Sequence, residues 1–159
     1  MASLIFNKFM SLIGATGGGT NTSVHWTDSG VSFKVALITG GYTPNAVTHD
    51  YWGTVAQYEF PSGALNANNY VSGGAAITAR TITEDGSNAF SNYKAGNNTF
   101  TALSGNIVVA GLVVYHDTTD SGTSQLCAYL TGSDFPKTAN GGDFTIAWNG
   151  GVVFRITGG

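Results

Sequence analysis

The segment NIVVAGLVVYH, from Asn106 to His116, is apolar along almost its whole length. A short, continuous run that is rich in β-branched residues is typical of a strand covered on both faces. We therefore predict that this segment forms a central strand and that the rest of the chain supplies a layer on each side of it.

The segments on either side of this strand also have a β pattern. Short β-branched and aromatic runs, separated by Gly, Asn, Ser and Thr, recur from Val31 onward. Several alternate between apolar and polar residues, which predicts strands with one buried face. The predicted strands cover residues 31–39, 76–83, 98–103, 106–116, 125–131, 143–149 and 151–157. The pattern predicts an all-β chain that folds as a single-domain β-sandwich, jelly-roll-like in its connections.

The last two predicted strands meet at WNGGVV, where Asn149 and Gly150 suit the positive φ angles of a tight turn. Trp148 alternates with Phe144 and Ile146, so all three should face the core. We predict that the two strands pair with each other as a hairpin.

The N-terminal segment predicts a short helix, because its apolar residues recur at spacings of three and four positions. The glycine-rich sequence GATGGGTNTS, residues 14–23, would link it to the main body. This divides the chain into an N-terminal apolar segment with its link, residues 1–22, and a β-sandwich domain, residues 23–159. A tethered apolar helix is typical of a docking element, whose predicted interface consists of Leu4, Ile5, Phe6, Phe9, Leu12 and Ile13. The alternative is that this helix packs on its own domain.

A second short helix is predicted after the first strand of the sandwich, over THDYWGTVAQY, residues 48–58. Thr48 is a suitable N-cap, and Asp50 places a negative charge in the first turn. Tyr51, Val55 and Tyr58 would then share the face that covers one end of the sheet.

The composition excludes several function classes. Charged residues make up 9% of the chain, against roughly 25% in an average soluble domain. The net charge is −3 and the six Lys and Arg residues are scattered, so no nucleic-acid partner is expected. No apolar run reaches the roughly 18 residues of a membrane span. Lys8 lies inside the apolar N-terminal stretch, which is not the pattern of an export signal, so we expect synthesis in the host cytoplasm without secretion.

No catalytic, cofactor or metal site is predicted. His49 and Asp50 are adjacent, so on a helix their side chains would diverge by about 100°. The three histidines lack the close spacing of zinc ligands. Asp117 and Asp120 lie in a Ser/Thr-rich loop that is better interpreted as a solvated turn than as a cation loop. Cys127 lies between apolar residues at strand spacing, which predicts a buried, unreactive thiol.

Two alternatives stay open at this point. Aromatic rings bind sugars well, so exposed Tyr42, Tyr58 or Tyr70 could form a glycan-binding surface. A hydrolase would require His49 or His116 together with an acid from elsewhere in the chain.

The chain also resembles a family of small virion structural proteins of tailed bacteriophages. The likeness extends over nearly the whole chain, and LIFNKF is similar to the N-termini of such proteins. It differs from the commoner pattern in GATGGGTNTS and in YEFPSGALNANNY, which predicts a loop particular to this protein between Phe60 and Tyr70. The likeness is carried by FKVALITGGYTPNAVTHDYW, YVSGGAAITARTIT, IVVAGLVVYHDTTDSGTSQLCAYLTG and GGDFTIAWNGGVVFRIT.

The resemblance implies a non-enzymatic virion component. Some members of the family look like capsid decoration, or cement, proteins, and others are assigned to tails or fibres. We expect a decoration protein on the phage head that bridges neighbouring capsomers. Its partners would be the major capsid protein and further copies of itself, with a homotrimer favoured for three-fold positions. Removal of Met1 to Gly14 should then abolish attachment and leave the β domain folded.

Overall fold

The computed structural model describes residues 2–13, 25–61 and 69–157. One α-helix, α1 (Asn7–Ile13), lies within these residues. The strands, in chain order, are β1 (Ala2–Ile5), β2 (Ser32–Thr39), β3 (Ala75–Ala76), β4 (Thr81–Asp85), β5 (Phe90–Lys94), β6 (Asn98–Phe100), β7 (Val108–Asp117), β8 (Gln125–Thr131), β9 (Lys137–Thr138), β10 (Phe144–Ile146) and β11 (Val152–Thr157).

The main sheet has the order β1–β8–β7–β2–β3, and every neighbouring pair is antiparallel. Strand β9 pairs with the start of β7. Strand β7 lies between β8 and β2 and is buried over most of its length. The prediction of a central strand over residues 106–116 is therefore confirmed.

The second layer is a bent antiparallel ribbon. Strand β5 pairs with β11 and with β4, while β6 pairs with β10. Only residues 95–97 separate β5 from β6, and only residues 147–151 separate β10 from β11. The Ala95 N–H donates to the Gly151 carbonyl at 2.9 Å, which joins the two ladders across the bend.

The main core lies between the two layers. Phe33, Val35 and Leu37 of β2 belong to the same buried cluster as Tyr93 of β5 and Phe154 of β11. The indole of Trp26 packs against Phe33, Tyr93 and Phe154 and so bridges both sheets. Two layers of antiparallel sheet around one core form a sandwich, which confirms the predicted all-β fold class. The jelly-roll connectivity stays a prediction.

The opposite face of the main sheet is also covered. Ala36, Ile38 and Val113 point into a second buried cluster, closed by Trp52 and Val55. Trp52 lies in the first of two successive 3-10 turns, Trp52–Thr54 and Ala56–Tyr58, and Val55 lies between them. These two turns replace the single helix that was predicted over residues 48–58. The start also differs, because the first of these turns begins at Trp52 after Tyr51, whose side chain makes no capping hydrogen bond, and Thr48 does not cap it. The side chain of Asn45 accepts the amide hydrogens of Val47 and Thr48 in an earlier turn.

The predicted closing hairpin is wrong. Strands β10 and β11 pair with β6 and β5 and not with each other. Gly150 and Gly151 do have positive φ angles, 60° and 77°, but they form a one-turn corner that leads the chain along the ribbon. Trp148 is 4% exposed and packs in the main core, as predicted.

Candidate functional site

The N-terminal segment is part of the domain. Strand β1 pairs antiparallel with β8, and α1 lies next to the same strand. Phe6 and Phe9 are fully buried and Leu12 is 1% exposed. The other three residues of the predicted interface, Leu4, Ile5 and Ile13, are partly buried against the two cores.

Helix α1 fills the space at the side of the sandwich. The ring of Phe9 meets Phe154 edge-on at 5.6 Å between centroids, and Tyr93 at 6.3 Å. The amide of Asn7 donates to the carbonyl of Ala46, which fixes the start of the helix. The segment therefore packs as one unit with residues that the sequence assigned to a separate domain.

The predicted docking role requires correction for Phe6, Phe9 and Leu12. Apolar periodicity indicates that one face is buried, but it does not identify the surface that buries it. Here the chain supplies that surface, which is the alternative that the sequence left open. The predicted link, residues 14–23, lies outside the described residues.

The histidines make structural contacts. Nδ1 of His49 lies 3.0 Å from the Tyr42 hydroxyl and accepts the amide hydrogen of Asn45 at 3.3 Å. Nδ1 of His116 lies 3.3 Å from Oε1 of Gln125. Within residues 2–13, 25–61 and 69–157, no group of three His, Cys, Asp or Glu side chains is placed to hold a metal ion.

The tyrosines considered for glycan binding do not form an exposed platform. Tyr42 is 8% exposed and Tyr70 is 3% exposed, while Tyr58 is half-buried against Tyr42. Burial raises the pKa of both the Tyr42 and the Tyr70 hydroxyl well above the ordinary tyrosine value. These rings therefore act mainly as packing groups.

A polar cleft of about 300 Å³ opens at one end of the main sheet, on its outer face. Lys34 of β2 and Asp117 of β7 form one side of it. Tyr115 of β7 and residues from separate loops and turns supply the rest of the lining, the latter being Trp52, Ser72, Gly73, Thr119, Ser121 and Ser124.

Two stacked rings support the cleft. The indole of Trp52 lies parallel to the ring of Tyr115, with centroids 4.6 Å apart and an interplanar angle of 6°. The Tyr115 hydroxyl donates to the carbonyl of Gly73 at 2.6 Å, and the Trp52 amide donates to the carbonyl of Ser124 at 2.7 Å. The Tyr115 hydroxyl thus ties β7 to the loop at Gly73, and the Trp52 backbone ties its turn to the loop at Ser124, so these parts hold fixed positions around the cleft.

Lys34 and Asp117 form an ion pair across the sheet, with Nζ and Oδ2 at 2.8 Å. Their side chains are 31% and 12% exposed, so the pair borders solvent. Burial raises the pKa of Asp117, but hydrogen bonds from Lys34 and from the Thr119 amide outweigh it and leave the pKa below the ordinary aspartate value. Asp117 is therefore ionised at neutral pH.

Glu59 fixes the loop on the other side of the cleft. Its carboxylate accepts hydrogen bonds from the Tyr70 hydroxyl at 2.9 Å, the Gly73 amide at 2.6 Å and the Ser72 hydroxyl at 3.0 Å. Burial raises the pKa of Glu59 even though all three bonds lower it. The carboxylate is thus a half-buried acceptor that positions the backbone bordering the cleft.

Thr119 has a strained backbone at the edge of the cleft. Its φ angle is 69°, in the left-handed region that β-branched residues rarely adopt. Its amide donates to Oδ1 of Asp117 at 3.0 Å, so the ion pair and the strained turn share one carboxylate. Such strain persists where the surrounding structure fixes it, and it is concentrated at binding sites.

Sequence reasoning did not find this cleft. Asp117 was considered only with Asp120, whose side chain instead accepts the amide hydrogen of Gly122 in an exposed turn. The one available signal was Lys34, a single charge in the otherwise apolar run FKVALI. Charges inside a buried strand require a partner, and that partner came from the neighbouring strand.

A second feature of the surface is strand β4, which has the sequence TITED. Residues 81–84 are exposed and Asp85 is half-buried. Strand β4 lies at the end of the order β11–β5–β4, and its outer edge has no strand partner among the described residues. Ile82, its second residue, is 40% exposed.

Comparison of the chain with protein-family models, with curated proteins and with solved structures finds no match in any of the three. In the part of the chain that the structure describes, no helix has the length and apolar character needed to cross a membrane.

Proposed function

We propose that this chain is a structural protein of a tailed-bacteriophage particle, and specifically a capsid decoration protein that bridges neighbouring capsomers on the head. The sequence resemblance to small phage virion proteins supports the class. The unpaired edge of β4 is the structural observation that carries the decoration role, because it offers a way for copies to join across a shell.

The edge of β4 is well suited to pairing with another strand. Among the described residues no strand pairs with its outer backbone donors and acceptors, and the strand has none of the lysine, proline or bulge that natural proteins use to block such an edge. Thr81, Ile82 and Thr83 are β-branched residues that favour extended backbone. The edge therefore favours strand addition.

A second copy of this chain is the occupant that we propose for the edge. Two β4 strands that pair antiparallel about Ile82 place Thr81 opposite Thr83 of the neighbour. The same register places Ile82 opposite Ile82 of the neighbour, so the two exposed side chains contact each other. The contact is thus complementary to itself, as a two-fold contact requires.

This contact is compatible with a homotrimer on the head. Trimers at neighbouring three-fold positions of a shell are related by two-fold axes, where two β4 edges would meet. Many weak identical contacts then strengthen one another around the lattice. The proposed partners are therefore the major capsid protein beneath the trimer and the copies beside it.

The test is immunogold labelling of intact particles of the phage that encodes this chain, with antibodies to the purified protein. The proposal predicts label distributed over the head and no label on particles made without the protein. Adding the purified protein to those particles should restore the label and raise the temperature at which the heads rupture. Label confined to tails or fibres, or no label at all, would overturn the decoration role.

A further inference from the structure

We infer that the cleft between Lys34, Asp117 and Ser121 binds a saccharide. This activity goes beyond the decoration role and does not depend on where the chain lies in a particle. It uses side chains that no part of the proposed shell contact requires, since the cleft is formed by the outer face of the main sheet and β4 belongs to the second layer.

Several independent observations indicate a preformed site. Four separated parts of the chain converge there, namely β2, the Trp52 turn, the loop at residues 72–73 and the loop that follows β7. Hydrogen bonds from Trp52 to Ser124 and from Tyr115 to Gly73 lock these parts together. The strained φ angle of Thr119 is held at the edge of the same cleft. A site with this much fixed geometry binds a ligand with little loss of conformational entropy.

The polar groups define the chemistry of the ligand. The ammonium group of Lys34 has three donor hydrogens, and its ion pair with Oδ2 of Asp117 uses one of them. The hydroxyls of Thr119 and Ser121 lie on the exposed side, where each can donate or accept. A phosphate would face the carboxylate of Asp117, and a cation would face Lys34. A neutral molecule with several hydroxyls matches donors and acceptors together.

The size of the cleft agrees with a sugar. About 300 Å³ is at the lower end of the roughly 300–1,000 Å³ found for small-molecule sites, which suits one sugar ring better than a peptide. Trp52 and Tyr115 are only 6% and 2% exposed, so they shape the cleft without offering an open ring face, and hydrogen bonds supply most of the affinity. Weak, millimolar binding by one copy is therefore expected.

Nuclear magnetic resonance on the purified full chain tests this inference with three built-in reporters. Trp52 lies at the cleft, whereas the indoles of Trp26 and Trp148 donate to backbone carbonyls in the main core. Glucose, galactose, mannose and their N-acetylated forms would be titrated separately into labelled protein, with inorganic phosphate as the counter-probe. The inference predicts that at least one sugar shifts the Trp52 indole and the Gly73 and Ser121 amides saturably. The other two indoles should not move.

Matched variants separate binding from folding. Ser121→Val should weaken that sugar's affinity at least ten-fold without a change in melting temperature, because Ser121 is exposed. Ser133→Val, at an exposed serine outside the cleft, should bind like the parent chain. The inference is overturned if no sugar moves the cleft signals, if phosphate moves them at lower concentration than any sugar, or if both variants bind equally well.

Discussion

The N-terminal segment and strand β4 are both short elements at the periphery of the sandwich, yet their surroundings are opposite. Residues Phe6 and Phe9 are fully buried, whereas residues 81–84 are exposed in every case. The apolar segment that looked ready for a partner already has one within the chain. Strand β1 of the N-terminal segment also lies at the end of its sheet, but residues 81–84 of β4 are all exposed and no described strand pairs with the outer edge of β4. An apolar stripe therefore indicates burial, while an exposed strand with an unpartnered edge indicates association.

Truncation of Phe9 should have the largest effect on the stability of the protein. Phe9→Ala removes a ring that contacts Tyr93 and Phe154 from a fully buried site, and should cost about 3–5 kcal/mol of unfolding free energy. Met10→Ala, one position along and 40% exposed, should change stability by less than about 0.5 kcal/mol. Urea unfolding of the two variants measures both values. Equal, small losses would mean that the helix does not pack on its own domain in solution.

Removal of residues 1–14 extends the same test. The sequence-based expectation was that the β domain stays folded without them. The structure predicts instead a destabilised and aggregating protein, because the deletion exposes the buried faces of β8 and of the main core. Circular dichroism and light scattering of the truncated chain distinguish the two expectations.

Trp52→Ala tests the cover on the other face of the main sheet. The indole is 6% exposed and stacks on Tyr115, so its loss should cost about 3–5 kcal/mol. His49→Ala, in the same region but half-buried, should cost about 1 kcal/mol or less through its hydrogen bonds. Thermal unfolding of both variants provides the measurement. If Trp52→Ala is as mild as His49→Ala, this region is a loosely attached cover and not part of the core.

A smaller effect is expected at the ion pair in the cleft. The pKa of Asp117 is below the ordinary aspartate value in the folded chain, so its stabilising contribution is present above about pH 4 and is lost as the pH falls further. Asp117→Asn should therefore be less stable than the parent at neutral pH by about 0.5–1 kcal/mol, a difference that shrinks at acid pH. Unfolding curves at several pH values measure it, and a difference independent of pH would contradict the assignment.

The smallest effect on stability is expected at the edge strand. Ile82→Lys places a charge on β4 at a side chain that is 40% exposed, and it should leave the unfolding free energy within about 0.5 kcal/mol of the parent. Association through the edge should nevertheless be lost. Val47→Lys, at a side chain that is 70% exposed elsewhere, is the matched control and should associate normally. Light scattering over a concentration series compares them, and equal association of both variants would exclude β4 as the contact.

The strands that are buried on both faces could be predicted from the sequence. The runs at residues 31–39, 106–116 and 125–131 became β2, β7 and β8, because strands buried on both faces must be almost continuously apolar. Strand β5 was missed because FSNYK alternates weakly; it pairs with the preceding strand β4 and with the distant strand β11. The predicted strand at residues 76–83 was too long, because the chain leaves the main sheet after Ala76 and joins the second layer at Thr81, with Ala79 at a positive φ angle between them.

The pairing errors and the missed cleft share one physical cause. Asn149 and Gly150 correctly indicated a turn, but local turn chemistry does not determine which strand lies alongside. The cleft likewise depends on contacts between Lys34 and Asp117 and between Trp52 and Tyr115, which lie far apart in sequence. Local patterns therefore predicted elements and burial, whereas the partners of edges and of isolated charges required the structure.

Hydrogen exchange measured by mass spectrometry, on the free protein and on the same protein bound to phage heads, tests the central contrast most directly. The account predicts that peptides covering residues 2–13 are already protected in the free protein and change little on binding. Peptides covering residues 81–85 should exchange quickly in the free protein and become protected on the head. The opposite result, an N-terminal segment that gains protection only on the head beside an unchanged β4, would contradict the account and restore the segment as the docking element.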